Sequence, residues 1–144
     1  MENERKGSYR QKHGPDQKVN TKASLAVKKH ASNAEIPCAV AFKIAAELGI
    51  PPLEVGIAAD FLEIRVTKCQ LGLYGYRPNK KIVTPAETVS QTLEETIRRH
   101  LVNSRLPCKA AWKIAKKLKI SKLAVSSACE ALRVRITSCQ LGSF

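Results

Sequence analysis

Long apolar runs are missing from this chain of 144 residues: no stretch approaches the roughly 18 apolar residues that a membrane helix needs. The first ten residues, MENERKGSYR, also lack the apolar segment of a secretory signal peptide. These absences predict a protein of the cytoplasm without a membrane partner. There, the five cysteines, an odd number, are expected to remain reduced rather than to form a disulfide framework.

The short motifs of common enzymes are also missing. The sequence has no glycine-rich phosphate loop, no HExxH zinc motif and no GxSxG nucleophile motif, so neither a catalytic residue nor a cofactor is predicted. Acidic residues are scarce, at 12 against 25 lysines and arginines, which gives a formal net charge of +13. Such an excess predicts a polyanionic partner, and nucleic acid is the foremost of these.

A repeat with a period of 70 residues organises the chain. The segment IPCAVAFKIAAELGIPPLEVGIAADFLEIRVTKCQLG (36–72) aligns with LPCKAAWKIAKKLKISKLAVSSACEALRVRITSCQLG (106–142), and about half of the aligned positions are identical. We therefore predict a basic tail over residues 1–23, expected to be disordered, and then two repeats over residues 24–83 and 84–144.

Apolar spacing predicts the same two helices in each repeat. Small and apolar residues three and four positions apart predict a helix that starts at Pro37 and ends by about Gly49, and its counterpart starts at Pro107. A second helix is predicted over residues 53–62 and 122–132. So few residues separate the two helices of each repeat that only a turn can connect them.

Short strands and one further helix complete the predicted fold. Alternating apolar residues around Val66 and Ile136 predict a strand that leads into the CQLG of each repeat. Residues 81–83 are predicted to return as the second strand of a wing, and a threonine–proline helix start predicts a helix over residues 85–102. The predicted fold class is therefore α+β, mainly α with short β strands.

Two helices, a turn and a strand resemble the helix-turn-helix and winged-helix superfamily of DNA-binding domains. Ala45, Gly49 and Val55 carry the small residue, the turn glycine and the branched core residue at the spacing of that superfamily. The second repeat keeps the small and the branched residue but has Lys119 in place of the glycine. The resemblance implies tandem helix-turn-helix repeats, a role in transcription regulation, and the second helix of each repeat as a candidate recognition helix.

Basic charge is concentrated in the second repeat. Residues 94–144 contain eleven basic and three acidic residues, a net of +8, whereas residues 24–77 contain six and five, a net of +1. The first recognition helix also has Glu54, Asp60 and Glu63 on its predicted solvent side, where they would repel phosphates. The first repeat is therefore the candidate surface for a homodimer contact or a protein partner.

The second repeat is accordingly predicted to be the main nucleic-acid contact, with DNA favoured over RNA. The predicted contact residues are Lys113, Lys116, Lys117, Lys119, Ser121, Lys122, Ser126, Ser127, Arg133 and Arg135. A lysine cluster can also be only a solvated helix face, and the helix-turn-helix pattern favours contact over that interpretation. No arginine–asparagine or arginine–glutamine pair lies mid-helix, so base-specific recognition is not predicted.

The repeated cysteines leave a second class of function open, a protein-interaction, metal-binding or redox-sensing module. His30, Cys38 and Cys69 all recur in the second repeat, and such soft donors are metal ligands in many proteins. Zinc ligands usually come in close pairs, however, whereas 30 residues lie between Cys38 and Cys69. Core thiols are therefore the favoured interpretation, and no metal site is predicted. Trp112, which aligns with Phe42, is also predicted to be core.

Overall fold

The computed structural model describes residues 13–14 and 17–144, and the chain divides into two compact units. One unit contains the described residues up to Lys68 together with Leu141–Ser143, and the other contains Cys69–Gln140 with Phe144. The compact units divide before Cys69, and the boundary between the sequence repeats, placed before residue 84, stays a prediction. The predicted fold class, mainly α with short β strands, is confirmed.

The first unit contains three helices and two strands in its described residues. They are helix α1 (Thr21–His30), strand β1 (Glu35–Pro37), helix α2 (Cys38–Leu48), helix α3 (Pro52–Phe61) and strand β2 (Arg65–Thr67). The strands pair in parallel, with Ile36 opposite Val66. The chain thus leaves one strand, passes through the two central helices and returns beside the strand that it left.

The second unit has the same order of elements. They are helix α4 (Gln91–Arg99), strand β3 (Leu106–Pro107), helix α5 (Cys108–Leu118), helix α6 (Lys122–Leu132) and strand β4 (Ile136–Thr137). The strands again pair in parallel, with Leu106 opposite Ile136. A buried cluster that includes Ile97, Ile114 and Val125 joins the three helices, and burying a side chain of this size contributes about 1.5–3 kcal/mol.

A left-handed residue ends the first central helix of each unit, α2 or α5. Gly49 has a φ of 66° and Lys119 a φ of 57°, and the isoleucine that follows each donates its N–H to the alanine carbonyl five residues earlier, at 3.0 Å. This six-to-one hydrogen bond is typical of helix C-termini. Lys119 therefore keeps the turn that Gly49 makes, although a left-handed lysine costs about 1 kcal/mol.

The predicted wing strand over residues 81–83 is wrong. The N–H groups of Ile82 and Val83 both donate to the Gly72 carbonyl, at 2.9 and 3.1 Å, and this segment forms no strand. In each unit the strand that follows the second helix pairs instead with the strand that precedes the first. In each unit a parallel pair of strands therefore flanks the two central helices. The sequence pattern does not predict this pairing.

The helix predicted over residues 85–102 is shorter than expected. It begins at Gln91, because the Ser90 hydroxyl accepts the Leu93 N–H at 3.1 Å and caps the helix there. Before the cap, Ala86 N–H donates to the Ser127 carbonyl at 3.0 Å, so this N–H serves a contact with α6. The threonine–proline pair is therefore not a helix start.

The prediction of a disordered tail over residues 1–23 is wrong for its last residues. Asn20 Oδ1 accepts the Ala23 N–H at 2.9 Å, so α1 begins at Thr21 within that segment, and Ala23 is fully buried. His13 also has a defined place, with its ring stacked on Phe61 at 5.4 Å between centroids. The rest of the predicted tail, residues 1–12 and 15–16, lies outside the described residues.

The CQLG segments form the same loop in both repeats. Each loop follows a left-handed residue, Lys68 or Ser138, and closes where the cysteine N–H donates to the carbonyl five residues later, at 3.1 and 3.0 Å. Its leucine, Leu71 or Leu141, is almost fully buried. The first loop belongs to the second unit, whereas Leu141–Ser143 belongs to the first. Each loop therefore places its leucine in the core formed by the other repeat, which accounts for the retention of CQLG.

Candidate nucleic-acid interface

Five of the ten predicted contact residues line one groove of the second unit. This lysine groove lies at the turn between α5 and α6 and has a volume of about 520 Å³. Its lining includes the predicted residues Lys113, Lys116, Lys119, Ser121 and Lys122. Lys113 and Lys116 lie one turn apart on α5, and the turn and the start of α6 supply the others, so the packing of α5 and α6 across this turn brings them together.

Trp112 is also part of the lysine groove. It packs partly against the core, as predicted, but it is only half-buried and its indole lines the groove. Lys122 Nζ lies 4.3 Å from the centroid of the Trp112 ring, a cation–π contact. Ten residues separate the two in sequence, and only the fold brings them together, so the sequence pattern gave no signal for this contact.

The other five predicted contact residues lie outside the groove lining. Lys117, Arg133 and Arg135 are exposed, and Ser127 is half-buried. The prediction for Ser126 is wrong, because its side chain is 1% exposed and cannot reach a ligand at the surface. Its hydroxyl has no hydrogen-bond partner among the described residues.

Acidic side chains near α3 and α6 are largely buried or paired. Asp60 was predicted to face solvent but is only 8% exposed, and its Oδ2 lies 2.8 Å from His13 Nε2. In the second repeat Glu130 accepts a hydrogen bond from Lys81 Nζ at 2.8 Å. The one acid of α6 is therefore offset by a nearby lysine, which leaves the groove lysines unopposed on that helix.

The first repeat lacks the charge of the lysine groove. At the aligned positions it keeps only Lys43, whereas Ala46, Gly49, Pro51 and Pro52 replace three lysines and a serine. Both repeats nevertheless form the same pair of helices with the same turn. The fold therefore does not require the lysines, and their presence in one repeat only needs a functional explanation.

The cysteines are buried in the manner expected of core thiols. Cys38, Cys69, Cys108 and Cys129 are buried, which confirms the prediction for these four, whereas Cys139 is half-buried. Burial raises the pKa of the Cys69 and Cys108 thiols, and it raises that of Cys129 to about 12. Among the described residues, no group of three or more histidine, cysteine or acidic side chains is placed to hold a metal ion.

Alkylation is expected to modify Cys139 first and the other four cysteines much more slowly. The thiolate is the reactive species. Burial shields all four of the other thiols, and it also raises the pKa of Cys69, Cys108 and Cys129. A time course with iodoacetamide at about pH 8, followed by peptide mass spectrometry, measures each rate. Cys139→Ser should remove the fast phase alone. Modification of Cys129 as fast as that of Cys139 would contradict this description of the core.

Comparisons with known proteins assign no family. No protein-family model matches the chain, and no curated protein or solved structure matches it. In the part of the chain that the structure describes, every helix is too short or too polar to cross a membrane. The lysine groove is therefore the feature of this chain that bears on its function.

Proposed function

We propose that this protein binds nucleic acid, DNA in preference to RNA, through the lysine groove of its second repeat and acts as a transcriptional regulator. One observation carries the proposal: four lysines line a single helix-turn-helix groove, and the aligned positions of the other repeat hold only one. A net charge of +13 would attract a polyanion to any part of the surface. The groove supplies a defined place for that attraction.

The lysine groove suits the phosphates of nucleic acid better than it suits the edges of the bases. Ammonium groups bind phosphate oxygens, and the groove lies at the N-terminal end of α6, where the Ser121 hydroxyl accepts the Ala124 N–H at 2.9 Å and caps the helix. Such contacts position a protein on nucleic acid without reading its sequence. DNA is favoured because the wide major groove of B-form DNA admits a helix, whereas that of A-form RNA is narrow and deep.

Affinity for duplex DNA is expected to fall steeply as salt is raised. If the four groove lysines neutralise about four phosphates, log K should fall with a slope of about −3.6 against log salt. Between about 50 and 200 mM salt this slope predicts a loss of about 150-fold, measurable by fluorescence anisotropy of a labelled duplex. The absence of duplex binding at the lower salt concentration would refute the proposal. Stronger competition by structured RNA would reverse the preference for DNA.

A further inference from the structure

The lysine groove is larger than a single phosphate requires. Its volume of about 520 Å³ lies in the range of sites for small organic ligands, about 300–1,000 Å³. One wall is the half-buried indole of Trp112, and the lysines line the rest together with Ser121 and Ile120. Trp112 packs partly on the core and Phe42 holds the aligned position, so the fold itself accounts for an aromatic residue here. In the second repeat the exposed part of the ring also lines the groove, where it offers a second kind of contact beside the lysines.

The aromatic wall and the lysines of the groove suit different parts of a nucleotide, the base and the phosphate. Aromatic side chains stack on nucleobases with little dependence on base identity, and ammonium groups bind phosphates. Lys122 Nζ lies over the Trp112 ring, 4.3 Å from its centroid. A base can therefore stack on this face only when the lysine side chain turns away from the ring, and a bound phosphate is the group toward which it would turn. A phosphate bound by Lys122 would therefore lie within one nucleotide of a base stacked on the indole.

We propose that the lysine groove binds one unpaired nucleotide of a DNA strand, with its base against Trp112 and its phosphate among Lys116, Lys119 and Lys122. In a paired duplex both faces of each base are covered by neighbouring bases. A base therefore reaches Trp112 only where the strand is single or where a nucleotide has left the stack. This inference rests on the proposed nucleic-acid binding and names the part of the nucleic acid that the groove takes.

Trp112 fluorescence tests the inference directly, because the chain contains one tryptophan only. We expect single-stranded oligothymidylate to quench this fluorescence at saturation and to bind more tightly than a paired duplex of equal length. A strand of equal length made of abasic sites should bind through its phosphates but quench much less. Thymidine monophosphate tests whether the groove binds a free nucleotide instead of a strand. If it quenched Trp112 fluorescence at lower concentrations than oligothymidylate does, the assignment to a DNA strand would be overturned.

Moving the fluorophore provides a matched control. Phe42→Trp combined with Trp112→Phe places the indole at the aligned position of the first repeat, where three of the four lysines are missing. Oligothymidylate is expected to bind this variant without quenching it. Trp112→Leu should lower affinity for oligothymidylate about 10-fold and leave duplex affinity unchanged. Since Trp112 also packs on the core, Trp112→Phe provides a second variant that keeps an aromatic ring, with a smaller expected loss.

Two results would separate this inference from the proposed function. Equal quenching by the abasic strand and by oligothymidylate would overturn base stacking and leave nucleic-acid binding in place. The same conclusion would follow if anisotropy showed full binding of oligothymidylate and the fluorescence of Trp112 did not change. If neither single strand nor duplex bound at low salt, the proposed function itself would fail, and this inference with it.

Discussion

Lys116→Glu combined with Lys122→Glu is expected to lower the affinity for duplex DNA by about 100-fold at about 100 mM salt. The double substitution removes two phosphate contacts from the lysine groove and introduces two carboxylates that repel the backbone. The slope of log K against log salt should become shallower by about 2, since two fewer phosphates are neutralised. The melting temperature should change little, because Lys116 is exposed and the cation–π contact of the half-buried Lys122 contributes only about 0.5–1 kcal/mol.

A charge-matched control separates the groove from net charge. Lys28→Glu with Lys29→Glu changes the charge of the protein by the same amount, at two exposed positions of α1 in the first unit. This variant should lose affinity by less than about 5-fold, through the weaker long-range attraction alone. Equal losses in the two variants would show that binding follows net charge, and the lysine groove would then have no special role.

A graft into the first repeat provides the reciprocal experiment. Ala46→Lys with Pro52→Lys places lysines at the positions aligned with Lys116 and Lys122, on the same pair of helices. We expect this graft, made in the protein that carries Lys116→Glu and Lys122→Glu, to restore part of the lost affinity for duplex DNA. That result follows if two helices joined by this turn are the structure that binds. Anisotropy titrations of both proteins at one salt concentration measure the recovery.

The central helices could be predicted from the sequence because their signals are local. Apolar residues at helical spacing mark each buried face, and Pro37 and Gly49 mark the two ends of α2. The second helix of the first repeat, predicted over residues 53–62, spans Pro52–Phe61 in the structure. The parallel pairing of the strands could not be predicted in this way, since β1 and β2 have three residues each and the two helices separate them in sequence.

The lysines of the candidate site could be predicted from charge, whereas the neighbours that complete it could not. The excess of basic residues in the second repeat marked the two helices on which the groove lysines lie. Trp112 was assigned to the core because Phe42 aligns with it, and the alignment could not show that one side of the ring lines a groove. Ser126 was assigned to the surface because it is polar, but α6 buries Val125, Ser126, Ala128 and Cys129, a wider face than a surface helix usually has.

Gly56→Ala is expected to be the most destabilising of the substitutions considered, with a loss of about 2–3 kcal/mol and a fall in melting temperature of about 10 °C. In a helix, alanine in place of glycine normally stabilises by about 1 kcal/mol, so the sign of the effect is informative. A Cβ at Gly56 would lie 1.8 Å from the carbonyl oxygen of Leu141 and 2.7 Å from its carbonyl carbon. Both atoms belong to the backbone, so no side-chain rotation relieves the clash, and α3 or the second CQLG loop must move.

Ser126→Ala is the matched control, because Ser126 occupies the aligned position of the second repeat and already carries a Cβ. Its buried hydroxyl lacks a hydrogen-bond partner among the described residues, so its removal should leave stability unchanged or raise it by up to about 1 kcal/mol. Urea unfolding of the two variants measures both effects, and truncation after Gln140 should reduce the cost of Gly56→Ala because it removes the Leu141 carbonyl. If Gly56→Ala proved as stable as the parent chain, the second CQLG loop could not pack on α3 as described. The retention of that sequence in both repeats would then require an explanation other than core packing.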